Sequence, residues 1–267
     1  MKKYLFSLSL ACLFSLCSKA QEKLIYSSPS LKCNDTVWVF TPQNVVANPP
    51  TLILLHGWSG CYNDWNRLAP LQDIANEFKF RIICPDGFYN SWYLNDSDSS
   101  KMQWRDFFNK EFMPDITRKY NLCPNETFIT GLSMGGHGAI NLFIDNPGLF
   151  RSAGSMSGVL DLGDTPLKED WVYKVTGNDS LRVDRESALN RIESVKEMIK
   201  SPLIITCGYH DFYVKCSDKF SKFCREKDIP HVLILSPGKH SWRYWNYALR
   251  LHLSHFRKIV DGDNLGF

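Results

Sequence analysis

The stretch Thr127 to Ala139, TFITGLSMGGHGA, restricts this chain more than any other. The β-prone run Thr127-Phe128-Ile129-Thr130 meets Gly131-Leu132-Ser133-Met134-Gly135, and a helix-compatible run follows from Gly136 through Ala139, Ile140, Leu142 and Phe143. Strand, tight turn and helix thus follow one another with a serine at the apex. Glycines two residues before and after the serine fit a turn in which any Cβ would strike the neighbouring strand or helix. Such a turn lifts the Ser133 hydroxyl above a sheet and sets the Met134 amide at a helix N-terminus, where it can donate to a developing oxyanion. Gly-x-Ser-x-Gly alone also describes an ordinary glycine-rich turn. The strand before it, the helix after it and the further glycines Gly136 and Gly138 mark Ser133 as a candidate nucleophile.

Around this turn the chain alternates strand-like and helix-like runs. Segments between Tyr26 and Phe40 read as antiparallel strands, and Thr51 to Leu55 reads as a strand buried on both faces. Trp65 to Phe80 follows helical spacing, Arg81 to Cys84 is a short strand, and Phe88 to Lys101 is an aperiodic loop carrying Trp92 and Tyr93 as candidate pocket residues. A long helix is expected from Trp104, with Phe107, Phe108, Phe112, Met113 and Ile116 as a core stripe. Ser152 to Gly158 reads as a strand. Asp161 to Ser201 departs from the alternation, carries Trp171, has a helix-like stretch from Glu186 to Ile199, and is expected to wall one side of a site. Pro202 to Cys207 and His231 to Leu235 are further strands, a helix is expected over Lys215 to Lys227, and a last helix carries Trp242, Trp245, Leu249, Leu253 and Phe256. The pattern predicts an α/β fold, a mostly parallel, doubly wound sheet with helices on both faces and a short excursion over the site.

The first 20 residues open on Lys2 and Lys3, followed by an apolar run from Tyr4 to Cys17 and by Ser18-Lys19-Ala20. That run is too short to span a bilayer, and it reads as a secretory signal cut after Ala20, leaving one domain over residues 21–267 in a secreted or periplasmic protein. Cys17 lacks the small residue before it that lipid attachment needs. Removing Lys2, Lys3 and Lys19 takes the formal charge from +3 to zero. Nothing electrostatic then favours nucleic acid or an anionic membrane, and no later run is long enough for stable membrane insertion. Seven cysteines remain, an odd number whose pairing spacing cannot assign; Cys84 and Cys207 end apolar runs and are expected as buried thiols. No paired Cys/His spacing suggests a metal, and no Gly-x-Gly-x-x-Gly follows the first buried strand, so neither a metal nor a dinucleotide cofactor is expected.

A serine attacks an ester only with an imidazole base, itself held by a carboxylate. In folds of this type those partners follow the serine in the order acid, histidine, each on a loop after a strand. His240, in the glycine-containing loop after the last strand, is the expected base. Asp211 is the expected acid, with Asp161 and Asp164 as the fallback. His56, beside a glycine turn, is expected to orient its loop, and His137 to brace the turn at Ser133.

Together GLSMGGHGA, LLHGWSG, CGYHDF and GKHSWRYW resemble the esterase D group of α/β hydrolases, which includes feruloyl, acetyl-xylan and tributyrin esterases and S-formylglutathione hydrolases. The resemblance runs from about Tyr26 to Phe256. It implies the α/β-hydrolase fold, with Ser133 as nucleophile, Asp211 as acid, His240 as base, and backbone amides of Trp58 and Met134 as oxyanion donors. It departs at His137, where many relatives have an aromatic, and at Trp58, whose bulk is expected to narrow the acyl pocket. The implied activity is serine esterase action on acyl groups, feruloyl or acetyl, of plant polysaccharide or oligosaccharide. The alternatives are a short-chain carboxylesterase or an acyltransferase to a sugar. Trp92, Trp171 and Trp242 are the candidate substrate-binding residues, and the oligomeric state is left open.

Overall fold

The computed structural model describes residues 20–43, 48–165 and 171–263; the expected signal segment, Ala20 apart, lies outside them. Strands β1 (Gln21–Ser28) and β2 (Cys33–Phe40) form an antiparallel hairpin, followed by β3 (Thr51–Leu55), helices α1 (Asp64–Leu68) and α2 (Leu71–Phe78), and β4 (Arg81–Cys84). Next come α3 (Trp104–Asp106) and α4 (Met113–Tyr120), β5 (Thr127–Gly131), α5 (Met134–Asp145) and β6 (Ser152–Met156). The short helices α6 (Val172–Thr176), α7 (Ser180–Glu186) and α8 (Ala188–Arg191) make the excursion, and β7 (Leu203–Gly208), α9 (Val214–Glu226), β8 (His231–Ser236) and α10 (Trp242–Val260) complete the chain. The sheet runs β1-β2-β4-β3-β5-β6-β7-β8, parallel from β4 to β8.

Side chains alternate across each central strand, so a strand covered on both faces must be apolar at every position. Ile53 and Leu55 join one core with α4, α5 and α9, while Leu52 and Leu54 join the other with α1, α2 and α10. Phe128 and Ile129 of β5 part in the same way. No helix among the described residues is long and apolar enough to cross a membrane.

Three expectations from spacing are corrected. The helical run from Trp65 to Phe80 is two helices, because Pro70 has no N–H to donate and drives Ala69 into extended backbone. The long helix from Trp104 opens to π spacing over Phe107–Phe112, which brings residues five apart onto one face; the Phe107 and Phe112 rings lie 5.8 Å apart and both are buried. The stretch from Glu186 to Ile199 breaks at Ser187, whose buried hydroxyl donates to the Val183 carbonyl and accepts from the Leu162 amide, and it ends as a 3-10 turn over Ile192–Met198.

Phe128 lies 4.7 Å from the Phe256 ring and 5.7 Å from that of Phe80. Phe128→Ala is therefore expected to cost about 3–5 kcal/mol in urea unfolding, with the slope against urea unchanged.

Candidate active site

The C-terminal ends of β3, β5, β7 and β8 open onto one cleft of about 560 Å³. Ser133 stands between β5 and α5 at φ +54°, a region that side chains other than glycine rarely adopt. Its own amide donates to the Met156 carbonyl at 2.9 Å, and its carbonyl accepts from the His137 amide at 3.1 Å, so strand and helix both hold the turn. A Cβ at Gly135 would sit 2.4 Å from the His56 carbonyl oxygen, which is why glycine stands there.

Asp211 and His240 reach the serine from neighbouring loops that are laced together. Tyr209 N–H donates to the Ser236 carbonyl and His210 N–H to that of Gly238, each at 2.9 Å. A Cβ at Gly208 would lie 2.5 Å from Gly238 backbone, so the loops pack at glycine distance. His240 Nε2 is 3.0 Å from Ser133 Oγ, and His240 Nδ1 is 2.9 Å from Asp211 Oδ2. The Asp211 side chain is buried, and its Oδ1 also accepts the Tyr213 amide at 2.9 Å, which fixes the carboxylate plane. Nδ1 must therefore carry the proton and Nε2 the lone pair that faces the hydroxyl. Phe212, Tyr213 and Trp245 box the imidazole ring, at 4.3, 5.4 and 4.8 Å. This arrangement can remove a proton from Ser133 Oγ and return it to a leaving group. Asp161 and Asp164, the fallback acids, instead bind Lys219 away from this cleft.

Trp58 and Met134 flank the serine. Among the described residues, no acceptor takes either backbone amide, so both are available to an oxyanion. Gly87 N–H donates to His56 Nε2 at 2.7 Å, which leaves His56 Nδ1 to donate to the Gly57 carbonyl at 2.8 Å. His56 thus ties two loops together beneath the site.

Trp171 and Trp242 line the cleft, and Trp171 stacks on Trp58 at 4.7 Å. Trp92 does not line it. Its ring is buried against His137, 5.8 Å away, and its Nε1 donates to Asn90 Oδ1; Tyr93 is equally buried, its hydroxyl donating to the His56 carbonyl at 2.7 Å. The loop from Phe88 to Lys101 thus serves as a plug below the elbow, and aperiodicity gave no sign of that burial. Asn90 is a residue that motif reading missed. Its Oδ1 accepts from both Trp58 Nε1 and Trp92 Nε1 at 3.0 Å, and its Nδ2 donates to the Trp171 carbonyl at 2.9 Å, so one amide sets the aromatic wall. The lining residues Phe212, Tyr213 and Trp245 were also missed, although the first two directly follow Asp211.

Behind the elbow, α5 is tied to the excursion by charge. Arg105 pairs with Glu186 at 2.6 Å and Asp145 at 3.1 Å, while Arg191 reaches Asp145 and Asn141, each at 2.5 Å. Next to this network His137 is fully buried, and burial pushes its imidazole down to about 3. His252, buried between Thr130 and Thr206, is pushed well below the ordinary range for the same reason.

The sequence pattern of the Esterase family matches residues 28–256. The acetyl esterase of Caldicellulosiruptor saccharolyticus is 25% identical over 80% of this chain and 85% of its own. The S-formylglutathione hydrolase of Mus musculus is also 25% identical, over 90% of this chain and 94% of its own. The solved structure of a ferulic acid esterase superposes with a TM-score of 0.76 at 23% identity, covering 90% of this chain and 97% of that one.

An unfolded chain restores His137 and His252 to about 6.5, so below that pH it binds protons that the folded chain refuses. Stability is thus complete above about pH 6.5 and falls as pH drops, by up to about 1.4 kcal/mol per pH unit for each histidine. In urea unfolding from pH 7 to 5, His137→Gln is expected to reduce this slope by a fraction of a proton at pH 7, rising to about one near pH 5.

Proposed function

The chain belongs to the Esterase family and is a carboxylic ester hydrolase with the α/β-hydrolase fold, and from that premise we propose that it is an exported serine esterase removing acetyl or feruloyl groups from plant polysaccharide or oligosaccharide. The observation that carries the mechanism is the relay Asp211 Oδ2, His240, Ser133 Oγ, with links of 2.9 and 3.0 Å. Ser133 Oγ attacks the ester carbonyl as His240 Nε2 takes its proton. The amides of Trp58 and Met134, which no acceptor among the described residues takes, receive the oxyanion. The tetrahedral intermediate collapses, the C–O bond to the alcohol breaks, and His240 returns the proton to the departing oxygen. Water, activated by His240, then releases the acid from Ser133.

Supporting the substrate class is a cleft walled by Trp58, Trp171 and Trp242, flat surfaces on which a sugar or cinnamoyl ring can lie. The names of the acetyl esterase relative and of the ferulic acid esterase point the same way. The mouse relative's name would give a glutathione thioester, against which the signal-like first 20 residues weigh. The stacked Trp58 and Trp171 beside Ser133 favour a second reading, a short-chain carboxylesterase, because they narrow the space for a long acyl group.

The test is a panel of p-nitrophenyl acetate, butyrate and octanoate beside methyl ferulate and acetylated xylan. A preference of at least about tenfold for ferulate or xylan supports polysaccharide deacylation. A flat preference for short chains supports the second reading. Ser133→Ala is expected to lower turnover on the order of 10^6 and Asp211→Asn by about 10^4. Retained turnover by Ser133→Ala contradicts the assignment.

A further inference from the structure

Beside the cleft at Ser133 lies a second of about 720 Å³, which shares His240 and Ser241 with it. Lys239, Arg243, Tyr244 and Tyr247 supply much of its remaining lining, and no carboxylate does. Among the described residues neither Lys239 nor Arg243 has an acidic partner, whereas Arg67 in the first cleft is held by Asp64 at 2.8 Å. Tyr247 is 48% exposed. Among the described residues, four of the eight large apolar side chains that stand exposed are aromatics on the loops or helix around these clefts: Tyr89, Tyr209, Phe212 and Tyr247.

The reaction sets which end of the substrate faces this second cleft. The leaving oxygen takes its proton from His240 Nε2, so the alcohol departs on the side where His240 stands, while the carbonyl oxygen turns towards the amides of Trp58 and Met134. The second cleft, which adjoins the first at His240 and Ser241, therefore lies on the side of the alcohol portion and not of the acyl group. Two uncompensated cations there attract an anion. An exposed tyrosine beside them offers a face for a sugar ring.

We infer that this second cleft is the alcohol subsite and that it takes a carboxylate-bearing sugar, a uronic acid substituent near the esterified hydroxyl, held by Lys239 and Arg243 with its ring against Tyr247. The inference rests on the serine esterase reading above. The covalent chemistry is unchanged by it; the carboxylate makes ionic contacts only, and its contribution falls on binding.

The experiment compares an acetylated xylo-oligosaccharide carrying glucuronic acid with the same compound after its carboxyl has been reduced to the alcohol. At low salt the acidic substrate is expected to have a kcat/KM about tenfold higher, carried by KM, since two exposed ion pairs are worth about that much. At 1 M salt, where the screening length is about 3 Å, the ratio should contract towards unity. Lys239→Gln with Arg243→Gln is expected to bring the ratio to about one, and Lys239→Glu with Arg243→Glu to invert it. An enzyme that turns over both substrates equally, or a preference that survives charge reversal, overturns the subsite. Turnover of either substrate by Ser133→Ala would overturn the serine esterase reading itself, so the two failures are distinguishable.

Discussion

Everything at this site depends on one backbone constraint: Ser133 is held at positive φ between a strand and a helix that approach at glycine distance. A non-glycine residue in such a conformation costs on the order of 1–3 kcal/mol, which the surrounding structure must supply. It is supplied by the Met156 carbonyl on one side, by the first turn of α5 on the other, and by the close seating of Gly135 against the end of β3. In return the hydroxyl stands clear of the sheet, and the Met134 amide is left with no acceptor among the described residues. A relaxed turn would lose both properties together.

The remaining parts keep that turn in register with its partners. The laced loops after β7 and β8 bring Asp211 and His240 together, and the aromatic box around His240 limits the ring to the orientation that serves both. Beneath the elbow, the buried Trp92 and Tyr93 and the ion pairs of Arg105 and Arg191 fasten α5 to the loop before it and the excursion after it. Breaking one of these pairs would leave an uncompensated charge in a half-buried position, so the network is costly to alter piecemeal. Asn90 extends the same economy to the aromatic wall, one side-chain amide serving three tryptophans.

The sheet, and the loops that carry Ser133, Asp211 and His240, were legible because each depends on local signals: unbroken apolar runs, a glycine-framed serine, and a histidine after the last strand. The irregular parts were not. The π-spaced turn at Phe107–Phe112 and the break at Ser187 are set by partners distant in sequence, which periodicity does not carry. Trp92 and Trp171 looked alike in sequence, as aromatics in aperiodic segments. Only tertiary packing separates them, since one faces His137 and the other faces Trp58. Asn90 carries no motif at all, and its role exists only where two indoles and the Trp171 carbonyl converge on it.

The most direct test of the account is to treat the protein with a fluorophosphonate and locate the adduct by mass spectrometry of its peptides, with His240→Ala in parallel. The account predicts a single stoichiometric adduct on Ser133, formed far more slowly when His240 is replaced. An adduct on another residue, or labelling of Ser133 at an undiminished rate in the His240 variant, would contradict it.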